Sequence, residues 1–469
     1  MQTEIYFKND LTQTCFSNDL GVTDIGDPFV LKTEDGGYYM YCTSAPNGFY
    51  CWHSDDLVNW GDKKMCYIRK PDSWCTDCFW APEVVYRNEQ YYMFYTAKNQ
   101  SGSLRIGLAV SSAPDGPFED VKNEPFFDFG YAVIDANAFL DDNGNAYLYY
   151  SRDCSENKDG YLKKSEIYGV PLSDDLLSIQ GEAVKLLTPE QKWEKAPGDT
   201  WWNEGPEMIK HDGKYYLTYS ANFFASPSYS LGYAVSDTPL GTFVKAQENP
   251  LLTSGLRRDV SGTGHHSFTV SPDGSQLWAV YHSHTDLTNP GGNRKVNIDR
   301  AGFTSDGRLF ISGPTTSLQP HPSGISSADV TPLFRAYSGS METRTQDAPS
   351  EELLTDGLFS VSTRHAWIET ELTAQNGIVQ ITLISEEKLP ICGIAVYPGI
   401  DHESDIAAIR LRAGEKSLSE EFAVNADASL PLLLYFDAYE TDTIELSLSL
   451  REGLDHIPLS EISILSEKK

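Results

Sequence analysis

One aromatic pattern is repeated five times between residues 36 and 283, and it restricts the folds that this chain can adopt. Each copy has a turn followed by aromatic residues that alternate with small or apolar ones. The copies are Gly-Gly-Tyr-Tyr-Met-Tyr-Cys-Thr-Ser (36–44), Glu-Gln-Tyr-Tyr-Met-Phe-Tyr-Thr-Ala (89–97), Gly-Asn-Ala-Tyr-Leu-Tyr-Tyr-Ser-Arg (144–152), Gly-Lys-Tyr-Tyr-Leu-Thr-Tyr-Ser-Ala (213–221) and Ser-Gln-Leu-Trp-Ala-Val-Tyr-His-Ser (275–283). Their anchor residues are Tyr39, Tyr92, Tyr147, Tyr216 and Trp278, at intervals of 53 to 69 residues. Each interval has room for about four short strands, so the pattern predicts a five-bladed β-propeller.

The composition agrees with an all-β chain and narrows the classes of partner. Aromatic residues make up 12% of the sequence, and 36 glycines and 25 prolines suit tight turns. The formal net charge is -31, so neither nucleic acid nor an anionic membrane surface is expected as a partner. We see no secretory signal peptide and no apolar run of membrane-spanning length, so a cytoplasmic protein with reduced cysteines is expected.

A second domain is predicted after the propeller. Residues 313–332 are rich in Pro, Gly and Ser, and the aromatic repeat ends there. Apolar residues then alternate with polar ones, most clearly from Ile444 to Leu450, as in half-buried strands. We therefore assign residues 1–318 to the propeller, 319–332 to a linker and 333–469 to a jelly-roll-like β-sandwich. Carbohydrate binding and packing for stability are both open as roles for this accessory domain.

Three carboxylates precede the anchors of their blades by the same 12 residues. They are Asp27, Asp135 and Glu204. The first strand of each propeller blade lines the central channel, so equal offsets predict that the three side chains converge near one mouth of it. Carboxylates at such a site repel each other, which raises at least one pKa and places an acid beside a base. The alternative is that they are solvated acids on the blade edges or caps for backbone amides.

Several sequence motifs together resemble glycoside hydrolase family 43. They are Gly-Asp-Pro-Phe-Val (26–30), Trp-Ala-Pro-Glu-Val (80–84), Ile-Asp-Ala-Asn-Ala-Phe (134–139), Glu-Gly-Pro-Glu-Met (204–208) and the ending at 298–315. The resemblance implies that Asp27 is the general base and Glu204 the general acid, with Asp135 tuning the pKa of the acid. It also implies inversion at the anomeric carbon, with the base and acid roughly 6.5–9.5 Å apart.

In blade five, the corresponding sequence is Gly-Thr-Gly-His-His-Ser (262–267), where the family usually has Gly-Pro-Gly-His-Asn-Ser. The resemblance aligns His265 with a residue that often contacts a metal ion in the channel. One hydrated ion, calcium or sodium, is therefore expected as the cofactor. A hydrogen-bonded histidine without a metal is an equal alternative.

Substrate contacts are predicted from aromatic and charged residues near the inner strands. Phe49, Trp80 and Trp202 are placed to stack on the C–H faces of a sugar. Arg294 lies where relatives often have an arginine that meets the substrate. Glu83, whose offset from its anchor is 9, is a weaker candidate for the same role.

The function expected from the sequence is exo-acting hydrolysis of short plant-derived oligosaccharides, as a β-xylosidase or an α-L-arabinofuranosidase. Exo action follows from the cytoplasmic expectation, because only small oligosaccharides would be imported. An endo-arabinanase, a non-catalytic sugar-binding propeller and a scaffold for protein partners are the alternatives. The sequence identifies neither the sugar and its linkage nor the oligomeric state.

Overall fold

The computed structural model describes two compact units whose regular secondary structure is almost entirely β-strand. One unit is Asp19–Pro314, and the other combines Met1–Asn18 with Thr315–Lys469. The described residues are 15–467 except 255–258, 289–290, 305, 317–318, 326–327, 332–334, 338–340, 343–353, 356–369, 400–401, 403, 414–415, 419–421 and 425–431. They include a short 3-10 helix at Lys192–Glu194, and no helix among them is long and apolar enough to cross a membrane.

Five antiparallel blades form the unit Asp19–Pro314. Strands are numbered in chain order from β1 (Cys15–Phe16), which belongs to the other unit. Blades one and two comprise β2 (Thr23–Lys32), β3 (Tyr38–Ala45), β4 (Gly48–Ser54), β5 (Lys64–Ile68), β6 (Trp80–Arg87), β7 (Gln90–Lys98), β8 (Leu104–Ser111) and β9 (Glu119–Asp120). Blade three comprises β10 (Val133–Leu140), β11 (Ala146–Arg152), β14 (Glu166–Leu172) and β15 (Val184–Leu187), with a separate sheet of β12 (Lys158–Asp159), β13 (Leu162–Lys164) and β16 (Thr200–Trp201). Blades four and five comprise β17 (Asn203–His211), β18 (Lys214–Ala221), β19 (Ser230–Ser236), β20 (Val244–Lys245), β21 (Gly264–Val270), β22 (Leu277–His284), β23 (Arg294–Phe303) and β24 (Leu309–Ile311).

The aromatic repeat forms the second strand of every blade, which confirms the five-bladed propeller. All five anchors lie on these strands: β3, β7, β11, β18 and β22. Their rings pack between neighbouring blades. Tyr41 of blade one, for example, shares a buried cluster with Tyr95 of blade two. Pairing of Ile25 on β2 with Arg294 on β23 joins the first blade to the last.

The first strand of every blade carries a β-bulge at the same level. The pairing register shifts between Gly26 and Phe29, Trp80 and Glu83, Ile134 and Asn137, Glu204 and Glu207, and Gly264 and His266. A bulge leaves one residue unpaired and redirects its side chain. In this propeller, a residue at or beside each bulge lines a common cavity.

The eighth residue of an aromatic repeat supports the bulge of the next blade. Thr43 Oγ1 accepts a hydrogen bond of 2.8 Å from the backbone N–H of Ala81, and Ser220 Oγ accepts one of 2.8 Å from His265. These polar side chains satisfy buried N–H groups that the ladder leaves unpaired. The level of the inner strands is therefore set by contacts between blades.

The C-terminal unit contains a β-sandwich built from one folded sheet, and a separate two-stranded sheet of β1 and β25. Its strands are β25 (Gln319–Pro320), β26 (Ala328–Thr331), β27 (Arg335–Tyr337), β28 (Met341–Glu342), β29 (Thr370–Thr373), β30 (Ile378–Pro398), β31 (Ile406–Ala413), β32 (Lys416–Ser417), β33 (Phe422–Ala423), β34 (Leu432–Leu450) and β35 (His456–Glu467). The first half of β30 pairs with β27 and its second half with β35, while β34 pairs with both halves. Register shifts separate the halves, as expected where a strand passes from one layer to the other.

The predicted linker at 319–332 contains strands rather than a free connection. β25 pairs with β1, and β26 pairs with β35. Residues 326–327 and 332 of that segment lie outside the described residues. The contact-defined boundary at Pro314 lies four residues before the predicted end of the propeller at 318. Sequence composition did not indicate that β1 belongs with the second unit.

Candidate active site

Two of the three predicted carboxylates occupy bulge positions of inner strands. Asp27 on β2 and Asp135 on β10 have φ angles of 54° and 58°, in the left-handed region that residues other than glycine rarely adopt. The backbone N–H of Asp135 donates to Thr96 Oγ1 at 3.0 Å, and that of Asp27 donates to His282 Nδ1 at 3.2 Å. Such strained conformations cluster at functional sites. Both side chains line the same cavity.

Glu204 reaches this cavity from a different position of its strand. The equal offset of 12 residues predicts equivalence with the two aspartates, but Gly205 (φ 53°) is the bulge residue of blade four. The turn between β17 and β18 is one residue shorter: Ile209 pairs with Tyr216, whereas Leu31 pairs with Tyr39. The prediction of exact equivalence is therefore wrong, although the prediction of convergence is met.

The cavity has a volume of about 420 Å³ and lies within the propeller. It brings together most of the residues that the sequence selects. Its walls include Asp27, Asp135, Glu204, Trp80, Trp202, Arg294 and His265, together with Thr43, Asp153, Phe223, Phe224 and Tyr229.

Asp27 is surrounded by positive and hydrogen-bonding groups. Arg294 Nη1 donates to its Oδ1 at 2.8 Å, and Thr43 Oγ1 donates to its Oδ2 at 2.5 Å. His265 Nδ1 lies 3.4 Å and His282 Nδ1 lies 3.6 Å from the same Oδ1. Burial acts to raise the pKa of Asp27, but these partners, Arg294 foremost, hold it well below its usual range. Asp27 is therefore ionised at neutral pH.

The glycine before Asp27 makes room for the arginine. A Cβ on Gly26 would lie 1.9 Å from Nη2 of Arg294. No side chain fits there unless the guanidinium moves. The Gly-Asp pair of the first motif thus has a steric explanation.

The other two carboxyl groups hold protons more tightly than usual. Burial raises the pKa of Asp135 to about 6, against the opposing influence of His265 and with a contribution from Asp27. Burial and the neighbouring Asp135 raise the pKa of Glu204 well above its usual range. The pKa values of Asp27 and Glu204 are therefore shifted in opposite directions within one cavity: that of Asp27 is lowered, which favours a carboxylate, and that of Glu204 is raised, which favours a carboxylic acid.

Aromatic side chains form the apolar walls of the cavity. Trp80 is 37% exposed. The rings of Trp202 and Phe223 lie 5.6 Å apart at 37°. Exposed aromatic faces beside polar groups are typical of carbohydrate sites.

Two predicted substrate residues lie elsewhere. Phe49 is fully buried, with ring centroids 6.0 Å from Phe79 and 5.6 Å from Tyr95, so it is a core residue and the prediction is wrong. Glu83 is also buried and accepts a hydrogen bond of 2.7 Å from Asn137 Nδ2. It lies two residues beyond the bulge residue Ala81 and does not line the cavity. Neither side chain has a surface that a sugar in this cavity can contact.

Arg294 and His265 contact Asp27 itself. Arg294 lines the cavity as predicted, but its hydrogen bond goes to the carboxylate. Within the described residues, no group of three or more His, Cys, Asp or Glu side chains is arranged to hold a metal ion. A metal coordinated directly by several side chains therefore does not fit at His265. The hydrated ion stays a prediction, and no step below passes through it.

Sequence reasoning missed four residues that shape the site. Thr43 and His282 are both the eighth residue of their repeats, so the repeat alignment contained a signal for both. Asp153 follows the repeat of blade three and contributes negative charge beside Glu204. Tyr229, which donates to Glu204, lies just before β19 at a position with no counterpart in the repeat.

The sequence model of the glycosyl hydrolases family 43 matches residues 17–309. That range contains every cavity residue named above. The chain belongs to this family. It is therefore a glycoside hydrolase, and the matched region corresponds to the propeller unit Asp19–Pro314.

One solved structure and two curated proteins illustrate what this chain is similar to. A solved structure of a thermostable family-43 glycoside hydrolase is 48% identical with a TM-score of 0.64, over 66% of this chain and 99% of that one. A β-D-galactofuranosidase of Aspergillus niger is 28% identical over 58% of this chain and 78% of its own length. The α-L-arabinofuranosidase 43 of Humicola insolens is 28% identical over 67% of this chain and 68% of its own length. The relatives share the family while their names differ in the sugar.

Proposed function

We propose that this glycoside hydrolase removes pentose units from plant-derived oligosaccharides with inversion, as an exo-acting β-xylosidase or α-L-arabinofuranosidase. The observation that carries the proposal is that one cavity is lined by two carboxyl groups, Asp27 and Glu204, whose pKa values are shifted in opposite directions. Arg294 lowers the pKa of Asp27, which favours the ionised base, and burial raises the pKa of Glu204, which favours the protonated acid. An ionised base and a protonated acid are the two groups that inverting hydrolysis requires.

In the proposed reaction, the terminal sugar occupies the cavity with its glycosidic oxygen at Glu204. Glu204 donates its proton to that oxygen as the bond to the anomeric carbon breaks. The carboxylate of Asp27 takes a proton from a water molecule, whose oxygen bonds to the anomeric carbon from the opposite face. Glu204 is then ionised and Asp27 neutral, and proton exchange with solvent restores the starting state.

Asp135 is assigned to orient and tune the acid. Its Oδ2 accepts a hydrogen bond of 2.9 Å from the backbone N–H of Gly205, the residue after Glu204. Its negative charge raises the pKa of Glu204. Both contacts favour a neutral, correctly placed acid.

Pentose specificity and exo action complete the proposal. The aromatic faces of Trp80 and Trp202 suit the C–H surface of a sugar. The arabinofuranosidase relative supports an arabinofuranose substrate, and the galactofuranosidase relative provides the control sugar. A cytoplasmic location, where short imported oligosaccharides are the available substrates, belongs to the same proposal. Endo-arabinanase activity is the alternative within the family.

A panel of p-nitrophenyl glycosides tests the proposal. It contains the α-L-arabinofuranoside, the β-D-xylopyranoside and, as control, the β-D-galactofuranoside. The wild type is expected to release a pentose, and Asp27→Asn to be about 10²- to 10⁴-fold slower. Equal rates for both proteins, or release of galactofuranose alone, would contradict the assignment. With arabino- and xylo-oligosaccharides, exo action yields the monosaccharide first, whereas endo action yields shorter oligosaccharides.

A further inference from the structure

We propose that Tyr229 is a positioning residue for Glu204: its hydroxyl keeps the acid proton on Oε2, the carboxyl oxygen left for the glycosidic bond. The proposal rests on the function above, in which Glu204 is the general acid. It adds a role for a residue other than the three carboxylates Asp27, Asp135 and Glu204.

The contact between the two side chains is direct. Tyr229 is fully buried, and its hydroxyl donates to Oε1 of Glu204 at 2.8 Å. In the described part of the chain, Oε2 of Glu204 makes no hydrogen bond. The two carboxyl oxygens are therefore unequal, one bonded to the protein and the other available to a ligand.

The direction of this hydrogen bond decides where the acid carries its proton. The hydroxyl hydrogen of Tyr229 points to Oε1 of Glu204, so Oε1 is the accepting oxygen. When Glu204 is neutral, its own proton is consequently placed on Oε2.

The tyrosine ring has little freedom to move. It stacks on the ring of His282, with centroids 5.5 Å apart at 9°. A Cβ on Gly264 would lie 2.3 Å from Tyr229 Cδ1, so the ring fits only against glycine. His282 Nδ1 also accepts the backbone N–H of Asp27. The stacked rings therefore connect Tyr229, which contacts the acid, with His282, which contacts the base.

The hydroxyl of Tyr229 and the charged groups around Glu204 act on the pKa of Glu204 in opposite directions. Asp135 from β10, Asp153 after β11 and Asp27 from β2 all raise the pKa of Glu204, and Tyr229 lowers it. The thiol of Cys154 and the ring of His265, which lies against Gly205, are further titratable neighbours. A donor to Oε1 stabilises the carboxylate that forms once the proton has left.

Leaving-group dependence separates positioning from a structural role. Departure of 2,4-dinitrophenol needs little protonation, whereas departure of phenol depends on the acid. With 2,4-dinitrophenyl and phenyl pentosides, Tyr229→Phe is expected to lower kcat/KM about 10- to 100-fold for the phenyl substrate only. Glu204→Gln is expected to show the same selectivity with a larger loss. Tyr149→Phe, which removes a buried hydroxyl that donates to the Pro239 carbonyl, is the control with wild-type rates.

The pH profile gives a second readout. Without the tyrosine hydrogen bond, the pKa of Glu204 rises, so the alkaline limb of kcat/KM moves to higher pH in Tyr229→Phe. Equal loss on both substrates with an unchanged limb overturns the positioning role, provided Glu204→Gln remains selective. If Glu204→Gln hydrolyses both substrates at wild-type rates, the acid assignment itself fails. Thermal melting of Tyr229→Phe and Tyr149→Phe shows whether the two variants are equally folded.

Discussion

Arg294 and Asp27, 267 residues apart in the chain, form a hydrogen-bonded ion pair of 2.8 Å. The pair joins β23 of the last blade to β2 of the first. The contact that closes the propeller therefore also places the arginine beside the base, Asp27. The guanidinium also lies over the ring of Phe224, at 4.9 Å from its centroid, which fixes its plane beside the carboxylate.

Removal of the arginine should move the acid limb of the pH profile. Arg294 lowers the pKa of Asp27, so Arg294→Met is expected to raise that pKa and shift the acid limb of kcat/KM to higher pH. Arg294→Lys keeps the charge and should shift it less, although the planar hydrogen bond is lost. An acid limb at the wild-type position in Arg294→Met would show that the ion pair does not control the base.

A methyl group at position 26 should also disturb the ion pair between Arg294 and Asp27. The Cβ of Gly26→Ala would overlap the guanidinium, so the arginine must move and kcat/KM should fall at least about tenfold. Gly181→Ala is the matched control, because its Cβ makes only ordinary contacts, at 3.7 Å from Pro171. Activity measured beside thermal melting separates the site from general stability. Wild-type activity in Gly26→Ala would remove the steric explanation of the Gly-Asp motif.

Asp135 should make folding stability depend on pH. Its folded pKa of about 6 exceeds the ordinary 3.8, so the folded protein binds the proton more tightly than the unfolded chain. This stabilisation is complete below about pH 4 and is lost as the pH rises through 6, by about 3 kcal/mol.

The variant Asp135→Asn cannot titrate but retains an acceptor for the N–H of Gly205. Urea unfolding of both proteins from pH 4 to 7 should therefore show a smaller decline in stability for the variant. Parallel declines would indicate that Asp135 ionises normally in the folded protein.

The exposed tryptophan of blade two should contribute to substrate binding. Trp80→Ala is expected to raise KM about three- to tenfold, the loss corresponding to one aromatic contact. Tyr86→Ala is the control, since Tyr86 has the same 37% exposure on the same strand but does not line the cavity. Equal effects of the two substitutions would argue against sugar stacking on Trp80.

The fold was predictable because its repeat is local, whereas parts of the site depend on geometry between blades. The aromatic repeats and the carboxylates before them are visible in the sequence. The position of Glu204 relative to the bulge depends on a turn shorter by one residue, which a simple offset count cannot detect. Phe49 carries no signal that separates a core ring from a wall of the cavity, and Tyr229 approaches Glu204 from outside the repeat.

The stereochemistry of the first product tests the central assignment most directly. In early ¹H NMR spectra of the hydrolysis of an aryl pentoside, the sugar should appear first with the anomeric configuration opposite to that of the substrate. Inversion is the outcome expected when Asp27 activates water as a general base. Release of the retained anomer would mean that a carboxylate attacks the sugar itself, which contradicts the roles assigned to Asp27 and Glu204.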